Sequence, residues 1–582
     1  MSAQSASSGA DAAASAPLIE IANLSVSFPA PDGSRTQILH GVSLEVGRGE
    51  VLALVGESGS GKSVTSRTIV GLPGAGARVT ADRLRVAGHD ALGLTERQWR
   101  GIRGADVGFV LQDALASLDS LRRVGSEIAE PLKLHTRLTR RERADRVEEL
   151  LALAGVPEPA LRAAQYPHEL SGGLRQRALI ASAIAAGPRV LIADEPTTAL
   201  DATIAAQILR LLRSLVSEEG ALLMVSHDLG AVAEIADRIA VMNGGRIVEQ
   251  GPAEQVLFDP QDDYTKRLLA AVPSAASRGQ RLSADPAPVP AGIRTRTRSQ
   301  GAADSAAADA DAARPVLEAR SLSKRFRSPG RPPRTVLDDV SFVVARGRTV
   351  GLVGESGSGK TTAARILLGV ETADEGEALV DGTPWSRVPR ARVREVRHSV
   401  QSVSQDPLAS FDPRYTVGKV LAEALREAGA GGSEVRRRSV ELLDLVRLPA
   451  ATLARRPLEL SGGQRQRIAI ARALAVEPDV IVADEPVSAL DVSVQARVLD
   501  LFADIQREAG VAYLFISHDL GVIRHVADEI VVLKDGRVVE AGDAPAVLAA
   551  PQHAYTQQLL AAVPELGSRR AGQTRRTERT SA

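Results

Sequence analysis

GESGSGK occupies Gly56–Lys62 and returns unchanged at Gly354–Lys360, followed by Ser63 in the first instance and Thr361 in the second. Each instance directly follows a short apolar run, VLALV at Val51–Val55 and TVGLV at Thr349–Val353. An apolar strand running into G-x-x-x-x-G-K-[ST] is a phosphate-binding loop, whose glycines let backbone N–H groups curl around a phosphate at a helix N-terminus. Gly56, Ser58, Gly59 and Gly61 would form one cradle, and Gly354, Ser356, Gly357 and Gly359 the other. Lys62 and Lys360 would reach the β- and γ-phosphates of ATP, and the hydroxyls of Ser63 and Thr361 would face Mg2+.

Outward from these loops, the whole chain reads as a duplication. ELSGG begins at Glu169 and again at Glu459, ADEP at Ala193 and Ala483, and SHDLG at Ser226 and Ser517. The copies even end alike, YTKRLLAAVP from Tyr264 and YTQQLLAAVP from Tyr555. Two domains are therefore expected, at residues 18–273 and 315–564. Residues 274–314 are rich in Ala, Ser, Pro, Asp and Arg without apolar periodicity and read as a flexible linker. Residues 1–17 and 565–582 read as disordered tails, the second of them basic.

Composition narrows the class. The 582 residues exceed one compact domain, and 44% hydrophobic residues suffice for sizeable cores. Basic and acidic residues number 71 each, which gives no support to a nucleic-acid-coating protein. The chain has no cysteine, so disulfides, iron–sulfur clusters and thiolate zinc sites are excluded. Neither a secretory signal nor a run of 18 apolar residues is visible, so any membrane role is expected to be peripheral.

VLIADEP at Val190–Pro196 and VIVADEP at Val480–Pro486 read as buried strands delivering two acids beside the phosphate loop. Asp194 and Asp484 would hold the Mg2+ shell, and Glu195 and Glu485 would orient and polarise the attacking water.

With LSGGLRQR at Leu170–Arg177 and LSGGQRQR at Leu460–Arg467, the chain closely resembles the ABC ATPase family, of which this is the signature sequence. The resemblance implies an α/β fold: two tandem P-loop ATPase domains, each a RecA-like α/β core with an antiparallel β subdomain and a helical subdomain, at about 113–168 and 406–457. It also implies that the domains pair head to tail within the chain, with Ser171 and Gly173, or Ser461 and Gly463, closing on the nucleotide held by the other copy. Gln112 and Gln405 match the glutamine that contacts Mg2+ and borders a transmembrane partner. ALD, at Ala199–Asp201 and Ala489–Asp491, matches the loop that crosses the dimer interface. His227 and His518 match the histidine that senses the γ-phosphate, and Phe28 and Phe326 the aromatic that stacks on adenine.

GRIVEQGPAEQVLFDPQDDYTKRLLAAVP, GRVVEAGDAPAVLAAPQHAYTQQLLAAVP and QDPLASFDPRYTVG look like the peptide/nickel importer branch. That branch implies two transmembrane permeases, an extracytoplasmic solute-binding protein acting through them, and a place at the cytoplasmic face of the membrane. Cargo is expected to be peptide first, with nickel chelate, glutathione and sugar conjugate as alternatives. A soluble twin ATPase acting on ribosomes or DNA, and an exporter motor, are the rival readings. The first signature departs from the second at Leu174, where the other copy has Gln464.

Overall fold

The computed structural model describes residues 16–30, 32–112, 117–198, 200–283, 314–327, 333–389, 391–488 and 490–562. Ala199 and Ala489, the expected tails apart from Ala16 and Pro17, and the expected linker from 284 to 313 lie outside the described residues. The chain divides into two compact units, the described residues up to 200 with 204–269 in the first, and 201–203 with 270–562 in the second.

In the first unit, six strands form a sheet in the order Arg246–Pro252, Arg238–Asn243, Val51–Val55, Ala221–Ser226, Val190–Asp194, Val107–Val110. All neighbours are parallel except the first pair. Strands covered on both faces need no polar side, and VLALV, VLIAD and ALLMVS are buried at every position. The strand carrying the acids is separated from the phosphate-loop strand by Ala221–Ser226, yet its end lies beside the loop, where the Ser63 hydroxyl donates to Asp194 at 3.3 Å. That order brings His227, which follows the intervening strand, to within 3.2 Å of Glu195.

A second, antiparallel sheet is built on Ile19–Pro29, flanked by Arg35–Val46 on one side and Arg83–Val86 on the other. Alternation in Arg35–Val46 turns Leu39, Val42, Leu44 and Val46 inward, where they share one core with Leu52, Leu54, Ile192, Leu223 and Val225 of the parallel sheet. Helices Val124–His135, Arg140–Leu153 and Pro159–Ala164 form the helical subdomain.

The second unit repeats the plan. Its main sheet runs Val400–Val403, Val480–Asp484, Ala512–Ile516, Thr349–Val353, Glu529–Lys534, Arg537–Asp543, and its antiparallel sheet centres on Pro315–Phe326. Val417–Glu427 and Gly432–Leu445 are its subdomain helices.

One expectation needs correction. Residues 274–283 are structured and packed on the second unit, although their composition reads as linker. Asp500 and Asp504, on helix Val492–Ala509, are 2% and 1% exposed and need partners. The backbone N–H groups of Leu282 and Ser283 donate to Asp500, both at 2.9 Å, and Arg281 donates twice to Asp504, at 2.8 and 3.0 Å. Arg278 pairs with Asp528. Much of this binding is done by main-chain donors, which residue composition does not reveal.

Candidate active site

Each phosphate loop is set by backbone geometry before any side chain acts. Gly56 has φ +148°, and a Cβ there would stand 2.2 Å from the carbonyl oxygen of Met242. Gly354 repeats this at φ +150°, 2.2 Å from the carbonyl oxygen of Leu533. Beyond the exposed Ser58, Gly59, Ser356 and Gly357, the N-caps Gly61 and Gly359 open helices Lys62–Ile69 and Lys360–Leu367. Lys62 Nζ donates to the carbonyls of Gly56 and Glu57 at 2.7 and 2.8 Å, and Lys360 Nζ to those of Gly354 and Glu355 at 2.7 and 2.9 Å. Both ammonium groups are buried. Burial pulls Lys360 below its ordinary value against the nearby Glu485 and Asp484 carboxylates.

Asp194 is fully buried, and among the described residues the Ser63 and Ser66 hydroxyls donate to it, each at 3.3 Å. Burial, helped by the adjacent Glu195 charge, holds its carboxyl above the usual range. Asp484 is raised by the same two causes, opposed by Lys360 and the Thr361 hydroxyl. A buried carboxylate with such long, few donors is undercompensated, which is the setting a divalent cation satisfies.

The next residue turns away from that aspartate. Glu195 and Glu485 both have φ +49°, left-handed for a residue that bears a side chain, at a cost of about 1–2 kcal/mol. Their N–H groups donate to the carbonyls of Val225 and Ile516, both at 2.9 Å, fixing the turn on the intervening strand. Glu195 then accepts from Gln112 Nε2 at 2.6 Å and Thr198 Oγ1 at 3.1 Å, and lies 3.2 Å from His227 Nδ1. In the second unit Gln405 Nε2 donates to Glu485 at 2.9 Å, and His518 Nδ1 lies 3.1 Å away. In each unit a glutamine and a histidine distant in sequence thus meet at one carboxylate. Thr198, Ser488 and Ser66 were not expected at the site; the hydroxyl three residues after each glutamate, in ADEPTT and ADEPVS, was the available signal.

Burial alone would lower both histidines, but the hydrogen bond and charge of the partner glutamate leave His227 and His518 above their ordinary value. Burial would likewise raise the glutamates, and the histidines hold them below theirs. The histidine contribution to stability is therefore complete below 6.5 and lost as pH rises through the raised value. The glutamate contribution is complete above 4.5 and lost as pH falls through the lowered value. Melting of the nucleotide-free chain should show stability declining above pH 6.5, and Glu195→Gln with Glu485→Gln should flatten that decline; an unchanged slope would remove the pairs as its source.

Ser171 caps helix Gly172–Ala183 by accepting from Leu174 N, and Ser461 caps Gly462–Leu474 by accepting from Gln464 N. Only the second cap is reciprocal: Ser461 N donates back to Gln464 Oε1 at 3.1 Å, a bond the Leu174 side chain cannot accept. Leu174→Gln should restore it and stabilise the first unit by about 0.5–1 kcal/mol in chemical denaturation, whereas Gln464→Leu should cost the second unit about as much.

The two aromatics differ. Phe28 is partly buried against the core and closely faces Gly74, whose added Cβ would stand 3.1 Å from its ring. Phe326 is 42% exposed with Lys324 Nζ 5.4 Å from its ring centroid. Phe326 offers an open ring face for stacking; Phe28 offers less of one.

The ABC transporter family model matches residues 39–198 and 337–488. The oligopeptide/dipeptide transporter C-terminal region matches 248–299 and 539–582. The chain is 42% identical over 570 residues to a glutathione import ATP-binding protein of Salmonella typhimurium, covering 94% of this chain and 89% of that one. It is 40% identical over 612 residues to an oligopeptide transport ATP-binding protein of Mycobacterium tuberculosis, covering 96% and 100%. Among solved structures, a dimeric bacterial ABC transporter cassette is 27% identical, covers 39% of this chain and 98% of its own, and has a TM-score of 0.36.

Proposed function

The chain belongs to the ABC transporter ATP-binding family, and on that premise we propose that it is the ATP-hydrolysing motor of an importer for di- or oligopeptides or glutathione-like conjugates. The observation that carries this is the order of regions: in each copy an ABC transporter region is followed by an oligopeptide/dipeptide transporter C-terminal region. Relatives that align along nearly its whole length are named for glutathione import and oligopeptide transport, which favours import over the exporter and ribosome or DNA readings.

Lys62 and Lys360 exchange their loop carbonyls for the β- and γ-phosphates of ATP, so binding replaces two neutral acceptors with anionic ones. Asp194 with Ser63, and Asp484 with Thr361, would hold Mg2+, joined by Gln112 and Gln405. When bound, the ion neutralises charge on the phosphate oxygens. Glu195 and Glu485 accept a hydrogen bond from the attacking water, and their left-handed backbone keeps each carboxylate clear of the metal-binding aspartate. His227 and His518 hold those carboxylates in place and reach toward the γ-phosphate. Ser171 and Gly173, or Ser461 and Gly463, complete the site of the other copy, so that two ATP molecules serve one chain. Phe326, and less openly Phe28, stacks on adenine. The partners are two membrane permeases supplied with cargo by an extracytoplasmic binding protein, and the motor works at the cytoplasmic face.

The test is to trap the Glu195→Gln, Glu485→Gln chain with ATP in gently solubilised membranes and identify what co-purifies. Two multi-span permeases are expected. Ribosomal proteins or nucleic acid without a membrane subunit would overturn the import reading.

A further inference from the structure

Each copy carries a contact between its far C-terminal helix and its phosphate loop. Glu57 N donates to the hydroxyl of Tyr264 at 3.2 Å, and Glu355 N to the hydroxyl of Tyr555 at 3.0 Å. Those tyrosines lie 207 and 200 residues after the loop residues they meet. They sit in the first turns of helices Asp263–Ala270 and Ala554–Ala561, within the C-terminal region to which the site as derived above assigns no part.

The segment leading to each tyrosine is fastened in the same way. Glu249, on the sheet's edge strand, accepts from Gln261 N and Asp262 N at 2.7 and 3.2 Å; Glu540 accepts from Gln552 N and His553 N at 2.7 and 3.1 Å. Asp262 in one copy and His553 in the other then accept from the tyrosine's own N–H, at 2.8 and 3.1 Å. Different side chains thus produce one placement of the ring twice. Burial pushes the Tyr555 phenol up to about 12, so it remains a neutral hydroxyl at the loop.

We propose that Tyr264 and Tyr555 are positioning residues for ATP binding, holding each phosphate loop in its cradle conformation while its lysine changes partners. Glu57 and Glu355 are gripped from two sides: the tyrosine takes the N–H, and the loop lysine donates to the carbonyl. When the lysine turns to the phosphates, the carbonyl contact is released and the tyrosine contact persists. The loop keeps its shape, and the cost of reordering it on binding is not incurred. Without the hydroxyl, a partly buried backbone donor loses its acceptor and the nucleotide-ready loop loses its brace.

The inference rests on the ATPase reading, and the experiment separates the two. Tyr264→Phe, Tyr555→Phe and the double variant are made in the full chain, keeping the ring and removing only the oxygen. ATP turnover is measured with melting temperature and the binding of a fluorescent ATP analogue. The expected result for the double variant is KM for ATP and analogue Kd raised about tenfold, kcat within about twofold, and melting little changed. Unchanged KM and Kd beside an active parent chain would overturn the proposal. A fall in kcat and melting temperature without a rise in KM would also overturn it, since that pattern belongs to a structural tyrosine. A parent chain that neither binds nor hydrolyses ATP would instead sink the ATPase reading, and the proposal with it.

Discussion

Replacing Glu195 and Glu485 together by glutamine is expected to lower ATP turnover at least about a hundredfold while nucleotide binding survives. Glutamine has the same shape, so the left-handed turn at φ +49° and the N–H bonds to Val225 and Ile516 have no reason to change. What disappears is a negative acceptor able to polarise water, and with it the charge that holds His227 and His518 above their ordinary values. Each single variant reports on one copy. Because the glutamine and histidine contacts recur at nearly equal distances in both units, each single variant should lose a substantial share of turnover. A single variant indistinguishable from the parent in steady-state hydrolysis would show that its copy does not contribute. Retained turnover in the double variant would remove the proposed role altogether.

Gly354→Ala is expected to abolish ATP binding at the second loop and to destabilise its unit by more than about 3 kcal/mol. The new Cβ would stand 2.2 Å from the Leu533 carbonyl oxygen, a main-chain atom of an adjacent buried strand that cannot swing aside, and φ +150° is unfavourable for alanine in any case. Gly56→Ala meets the same obstacle at the Met242 carbonyl. Gly59→Ala is the control within the same motif: nothing lies within 4 Å of its Cβ, so only the backbone cost of φ +81° remains, about 1–2 kcal/mol. Denaturant unfolding and fluorescent-ATP binding on the three variants check this ordering. Equal losses at Gly56 and Gly59 would show that backbone strain, rather than the clash, governs the loop.

Much of this architecture is readable from residues in order. Strands Val51–Val55 and Thr349–Val353 fall where the apolar runs placed them, and the paired acids lie at the C-terminal ends of strands Val190–Asp194 and Val480–Asp484. These elements are legible because a doubly covered strand is apolar throughout and a phosphate loop is a contiguous motif, so both signals are local. The family resemblance implied an antiparallel and a helical subdomain beside each α/β core, and each unit has an antiparallel sheet and a group of helices beside its main sheet. The linker boundary was misread at 274–283 because its anchors lie more than 200 residues further on, Asp500 binding the main-chain N–H groups of Leu282 and Ser283 and Asp504 the Arg281 side chain.

The amino-acid order is enough to establish a duplicated ATPase with two phosphate loops, two acid pairs and two signatures, since each depends on the chemistry of a few adjacent residues. The fold alone decides that Ala221–Ser226 stands between the loop strand and the acid strand, and that Gln112 and His227 converge on Glu195. It also brings a tyrosine hydroxyl from the end of each copy to the N–H of Glu57 or Glu355. Those meetings depend on strand order and on long-range hydrogen bonding, which no local pattern of residues encodes.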